Sequence, residues 1–186
     1  IRIPGVLQRI AVCYLCAALI VLAARRRSLA RPATARDAAP IVAVVLVLLI
    51  GYWALMTFVP VPGYGAGVLT PQGNLAAYID RALLSGHLWS QTRTWDPEGI
   101  LSTLPAIVTV LLGVLVGNFL RAPLVPQLKA YGLFFAGGAC LFSGRLLDTV
   151  FPINKNLWTS SYVILTAGFA MVLLAGLYWL VELRGW

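Results

Sequence analysis

Five apolar stretches, each close to the length of a membrane span, dominate this sequence of 186 residues. They run 6–24, 41–59, 100–120, 128–147 and 161–181. A helix needs about 20 apolar residues to cross the hydrocarbon core of a bilayer. The pattern therefore predicts an all-α fold, a polytopic transmembrane helical bundle with about five spans in one domain. Composition agrees: 11% of residues are charged and 60% hydrophobic, against about 25% and 45–50% in soluble domains. A disordered chain needs the opposite balance. Three cysteines supply no disulfide framework, and no internal repeat is visible.

The fourth stretch is the least apolar, because it carries Gly137, Gly138, Ser143, Gly144 and Arg145. Its glycines suit close helix packing, as do Gly113 and Gly117 in GVLVG, a small-xxx-small spacing. The formal charge of +8 is not laid out on a groove-binding element, so nucleic acid is excluded as a partner. The basic residues bunch at span ends instead. Arg25, Arg26, Arg27, Arg31 and Arg36 follow the first span, Arg121 and Lys129 follow the third, and Arg184 follows the last. All eight fall on one face, which the positive-inside rule makes cytoplasmic. The other face receives the loop 60–99 and the short loop 148–160. In the long loop Arg81 and Arg93 nearly balance Asp80, Asp96 and Glu98. This orientation puts Ile1 outside with no signal peptide before it, so further helices are expected upstream and the chain is expected to be part of a larger membrane protein.

Candidate chemistry concentrates in the loop 60–99. Leu75–Leu84 reads as a short amphipathic helix lying at the interface. After it come His87, Trp89, Arg93, Trp95, Asp96 and Glu98. A belt of interfacial tryptophans is one reading, and a polar site at the mouth of the bundle is the other. Asp96 is placed to cap the third span, with Pro97 at its first position and Glu98 favourable to the helix dipole. The same carboxylates suit proton transfer or acceptor binding, and both uses stay open. His87 is the one histidine; beside a carboxylate it is a proton-transfer candidate. A single His without a Cys/His cluster argues against a metal site.

Gln8 and Arg9 sit at the outer end of the first span. An Arg there either snorkels to the interface or faces the bundle, where it needs a partner such as a phosphate or carboxylate. Arg145 and Asp148, three apart, are expected to pair with each other. Asn154, Lys155 and Asn156 form either a tight turn or a second arm of the outer site. CYLC at Cys13–Cys16 has CxxC spacing but lies in an apolar helix, where two small buried hydrophobes are expected.

Five segments, RIPGVLQRIAVCYL, AAYIDRALL, HLW, WDPEGILSTLPAIVTVLLGVLVG and FPINKNLWTSSYVILTAGFA, resemble the heparan-α-glucosaminide N-acetyltransferase family in its compact bacterial form. The resemblance runs from residue 2 to about residue 180, in the family's order. It implies a multi-helix membrane enzyme. Animal members move an acetyl group from cytosolic acetyl-CoA to the terminal glucosamine of heparan sulfate in the lysosome lumen. It further implies that Gln8 and Arg9 of GVLQR, Asp96 and Glu98 of DPEG, and Asn154, Lys155 and Asn156 of INKN belong to the site. The family's essential histidine lies upstream of RIPGVLQR; His87 matches a different histidine, in the loop. This stretch is therefore expected to hold part of an active site and to be inactive alone.

Three functions are compatible with the residues: a membrane acyltransferase, a transporter or channel for a small anionic solute, and a non-catalytic membrane subunit. The resemblance favours the first. It implies acetyl-CoA as co-substrate with no permanently bound cofactor, and a glycan or amino-sugar acceptor. Membrane lipid is the expected surrounding, a bacterial inner membrane the expected location, and a homodimer is compatible. Cysteine labelling tests the topology. In a background without native Cys, Ser85→Cys is expected to react with an impermeant reagent in intact cells and Ser28→Cys only after permeabilisation. Reaction of Ser28→Cys in intact cells would invert it.

Overall fold

The computed structural model describes residues 2–25, 35–92 and 94–186. Arg26, Arg27, Arg31 and Arg93, and the side chain of Arg36, lie outside the described residues. Six α-helices follow in order: α1 Val6–Arg25, α2 Ala35–Phe58, α3 Leu75–Leu84, α4 Thr103–Arg121, α5 Pro126–Leu147 and α6 Ser160–Tyr178. The last widens into a π-helical turn over Trp179–Leu183. Among the described residues the one departure from helix and loop is an isolated bridge between Val61 and Gly65. Five helices, all but α3, are long and apolar enough to cross a membrane.

Burial is inverted relative to a soluble bundle. Phe135 and Phe142 are 71% and 74% exposed, whereas Asp80 and Asp96 are 1% and 3% exposed. Apolar surface on this scale needs lipid rather than water around it. The all-α membrane bundle expected from the apolar stretches is the fold observed.

Successive long helices reverse direction. The start of α1 reaches the start of α4, since Arg9 donates to Ser102 O. The end of α2 reaches the turn before α6, since the buried Tyr52 hydroxyl donates to Leu157 O at 2.6 Å. Arg25 and Arg121 therefore close their helices at the opposite end from the long loop, the segregation that a positive-inside bundle requires. The loop helix α3 has the bounds read from the sequence. Asn74 caps it by accepting from Ala77 N at 2.8 Å, and Leu75, Ala76, Ala77 and Asp80 turn one face inward.

The third span begins later than expected. Residues 100–102 are turn, and α4 starts at Thr103. Pro105 then falls in the first turn, where the missing N–H costs nothing.

The glycines divide into two groups. A Cβ on Gly168 would meet Leu141 N at 2.7 Å and Gly137 O at 2.8 Å, and one on Gly144 would meet Leu165 N at 2.8 Å. These absent side chains let α5 and α6 approach backbone to backbone. Gly113 does not pack this way: nothing lies within 4 Å of its missing Cβ. Gly117 meets only the Arg121 side chain, at 3.8 Å. GVLVG instead lines a cavity of about 920 Å³ between α4 and the α5–α6 pair, which corrects the expectation of a small-xxx-small contact. Gly168→Ala is expected to destabilise the protein by about 1–3 kcal/mol through overpacking against rigid backbone. Gly113→Ala is expected to be near neutral. Thermal unfolding in detergent checks the pair, and equal effects would contradict it.

Candidate functional site

The loop that precedes α4 makes a non-helical turn, 96–102, whose peptide groups are met almost one by one by buried side chains. Asp80, on the inward face of α3, accepts from Ile100 N at 3.0 Å and from Asp96 N at 3.4 Å. Gly99 is required here, because a Cβ would fall inside the Asp80 carboxylate. Asp96 Oδ1 accepts from Glu98 N at 3.0 Å, and Asp96 O from Gly99 N at 3.0 Å. The acceptors are satisfied as well. Arg9 donates through Nη1 to Pro97 O and through Nη2 to Ser102 O, both at 2.7 Å. Ser102 and Thr103 hydroxyls donate to Gly99 O at 3.1 and 2.8 Å.

The Asp96 cap of α4 does not form. The N-cap is Ser102, and no side chain bonds to the first-turn amides. Asp96 lies six residues earlier and is engaged elsewhere. It takes Arg2 Nε at 2.9 Å and Arg2 Nη2 at 2.5 Å, and Trp89 N at 3.0 Å. Glu98 pairs with the same Arg2 Nη2, so its carboxylate is not a helix-dipole partner either. The physical reason is twofold: the Arg2 guanidinium is a strong bidentate partner for Asp96, and the first-turn amides of Thr103 and Leu104 already donate to Ile100 O and Leu101 O, at 3.2 Å each. The guanidinium of Arg2 also stands over the Trp89 ring, 5.6 Å from its centre, and the Asp96 hydrogen bond holds its pKa above the ordinary value.

Arg9 faces the bundle rather than snorkelling. Besides the two carbonyls, its guanidinium lies 4.3 Å from the centre of the Trp158 ring, a cation–π contact in a partly desolvated place. Its buried Nε has no hydrogen-bond partner among the described residues. None of the ion pairs among the described residues involves it.

Trp158 comes from the turn between α5 and α6. Asn154 builds that turn: its Oδ1 accepts from Asn156 N and Leu157 N at 2.9 and 3.3 Å, and its N–H donates to Thr159 Oγ1 at 2.9 Å. Lys155 and Asn156 are exposed. So the arm that reaches the site contributes an indole, while Asn154 holds the turn and Lys155 and Asn156 face away from the protein. Arg145 and Asp148 pair at 3.0 Å as expected. Gln8 is exposed and folds over Gly5. His87 is an exposed residue at the rim of the loop, and its carbonyl accepts from Ile3 N at 3.1 Å. Cys13 and Cys16 are free thiols. Among the described residues no group of three or more His, Cys, Asp or Glu stands close enough to hold a metal.

Four members of the cluster were not singled out as site residues: Arg2, Asp80, Ser102 and Trp158. Asp80 had a signal, an acidic residue on the same helical face as Ala76 and Ala77. Arg2 and Trp158 had none beyond their place in the RIPG and INKNLW segments.

Burial pushes the Asp80 carboxyl from 3.8 up to about 6, against the pull of the Ile100 and Asp96 amides. The folded state thus holds this proton more tightly than the unfolded chain. The stabilisation is complete below 3.8 and is lost as pH rises through about 6. Melting temperature in detergent is expected to fall across that window, and Asp80→Asn is expected to flatten the fall. An unchanged slope in that variant would assign the titration to another group.

No family model matches the sequence. The chain is 34% identical, over an alignment 225 residues long, to heparan-alpha-glucosaminide N-acetyltransferase from Homo sapiens. It is 32% identical over 226 residues to the protein of that name from Mus musculus. Each alignment covers 100% of this chain and 34% of the relative, so the chain spans about a third of the length of these curated relatives. The segments that converge on the cluster, RIPGVLQR, AAYIDR, DPEG and INKNLW, all lie within the aligned stretch, so over its whole length the chain is similar to one part of heparan-alpha-glucosaminide N-acetyltransferase.

Proposed function

We propose that the protein containing this chain is a membrane acyltransferase that moves an acetyl group from acetyl-CoA to an amino sugar or other glycan acceptor on the outer face. One observation carries the reading. Residues from widely separated family segments meet at one place: Arg2 on Asp96 and Glu98, and Arg9 on the Pro97 carbonyl and the Trp158 ring. A solute pathway would need no such convergence of carboxylate, guanidinium and indole groups. The printed names of the relatives support an N-acetyltransferase acting on a glucosaminide.

The two carboxylates divide the work. Asp96, with every lone-pair direction used and its side chain fully buried, positions the turn and Arg2. Glu98 is 18% exposed and has one guanidinium partner, so it retains acceptor capacity toward an incoming amine. In the transfer, the acceptor nitrogen bonds to the thioester carbon, the carbon–sulfur bond breaks, and CoA leaves as the thiol. The amine proton passes to a base, for which Glu98 and the exposed His87 are the candidates here, and from the base to the departing sulfur. Arg9 turns its remaining donor capacity toward the negative charge that develops on the carbonyl oxygen or is carried by the donor. A substrate-binding part for Gln8, Asn154, Lys155 and Asn156 rests on their place in the GVLQR and INKN segments. Acyl-CoA, the glycan acceptor and lipid are the proposed partners, with a homodimer compatible. The bacterial inner membrane is the proposed location, resting on the compact segment pattern; the relatives compared are from human and mouse.

The test is acetyl-CoA consumption by the full-length protein with a glucosamine-terminated acceptor. Glu98→Gln is expected to lower turnover by about 10²-fold or more while the melting temperature stays within a few degrees, since only one partly exposed pair is lost. Solute uptake without consumption of acetyl-CoA would favour the transporter reading and sink this one.

A further inference from the structure

The carboxylate of Asp80 touches none of the reacting groups, yet it holds the backbone on both sides of one of them. It is 1% exposed, on the inward face of α3. It accepts from the amides of Asp96 and Ile100, two residues before Glu98 and two residues after it. Between those points the amides of Glu98 and Gly99 donate to Asp96, which belongs to the turn itself. One side chain from another element therefore holds the amides at both ends of the arc that presents Glu98.

Gly99 points the same way. Its φ lies outside the left-handed region, so the backbone there does not ask for glycine. The nearest atoms to its missing Cβ all belong to the Asp80 carboxylate, with Oδ1 at 2.6 Å and Cγ at 2.7 Å. The glycine is needed because the carboxylate lies against the turn.

This place is unfavourable for a charge. The titratable groups around Asp80 are Asp96 of the turn, Arg81 beside it on α3 and Tyr52 from α2. Arg81 donates to Thr94 O at 3.1 Å and Tyr52 to Leu157 O. Arg9 from α1 and Arg2 meet the turn at Pro97, Ser102, Asp96 and Glu98, and none of the ion pairs among the described residues involves Asp80. Burial accordingly drives its carboxyl up to about 6. As a carboxylate it offers acceptors to both amides; as the acid, one oxygen carries a proton and is a poorer partner for an N–H. The ionised form thus holds the turn better, while the folded chain is more stable with the proton on.

We propose that Asp80 is a positioning residue for the transfer: its carboxylate, by holding the amides on either side, sets where Glu98 stands, and the site is competent when that carboxylate is ionised. This rests on the acyltransferase reading. A residue kept for folding alone would make activity follow stability. Here activity and stability run in opposite directions through one pH window.

The experiment uses the full-length protein with acetyl-CoA and glucosamine, on either side of the Asp80 titration. In the parent, kcat is expected to rise through about pH 6 while the melting temperature falls. Asp80→Asn keeps the shape but leaves one acceptor for two amides. Above the titration its kcat is expected to drop by about 10- to 100-fold, with KM for acetyl-CoA within about twofold. Its melting temperature is expected to equal or exceed the parent's, and its rise in kcat near pH 6 to be gone. Gly99→Ala, which drives the carboxylate off the turn, is expected to lower kcat by a similar factor. In an Asp80→Ala background, where that space is open, the same change is expected to add little. This cycle is the measurement should Asp80→Asn fail to fold. An unchanged kcat in folded Asp80→Asn, a parent profile flat through pH 6, or additive losses in the cycle overturns the proposal. A parent protein that consumes no acetyl-CoA at any pH overturns the acyltransferase reading, and this proposal with it.

Discussion

A stretch of non-helical backbone at 96–102 is buried where the long loop meets the start of α4, and its peptide groups need protein partners there. The architecture around the loop serves that demand. Asp80 meets the amides of Asp96 and Ile100, Arg9 meets the carbonyls of Pro97 and Ser102, and Asp96 ties the turn to Arg2. Each partner comes from a different element: the entry to α1, α1 itself, and α3. The turn is therefore the point at which the loop and the first helix become one unit, and the candidate site is the surface of that unit. Buried charge of this kind is costly unless fully engaged, which explains why nearly every donor and acceptor of the cluster is used.

Packing quality varies along the bundle for an equally physical reason. Where glycines remove the side chains, α5 and α6 touch backbone to backbone, at Gly137, Gly144 and Gly168. Where the facing residues are larger or the glycines face nothing, α4 stands off and a chamber remains. Small residues permit close approach but do not compel it. Gly113 and Gly117 have the same spacing as a packing motif, yet they line a wall.

The apolar stretches and the basic residues were legible as a helical fold and as the end of the bundle that Arg25 and Arg121 share because each is a one-dimensional property. A run of about 20 apolar residues has no better refuge than a bilayer core, and α3 declared itself through its period and its turn residues. The cap assigned to Asp96 failed because capping propensity is local, while the competitor was not: Arg2 lies 94 residues away and binds both Asp96 and Glu98. Asn154, Lys155 and Asn156 drew notice as polar donors, but the turn they make matters for delivering Trp158.

The sequence by itself determined that the chain is a helical membrane bundle, which end of the helices carries the positive charge, and which loop holds the polar residues. Hydrophobic length and charge bias are summed along the chain, so no knowledge of contacts is needed to read them. Only the tertiary structure decided which polar residues meet. Arg9 found two carbonyls and an indole rather than a carboxylate, and Asp80 became the support of a turn 16 to 20 residues further on. A buried charge takes whichever partner the packed helices bring within hydrogen-bonding distance, and that distance is set by three-dimensional packing and not by position in the chain.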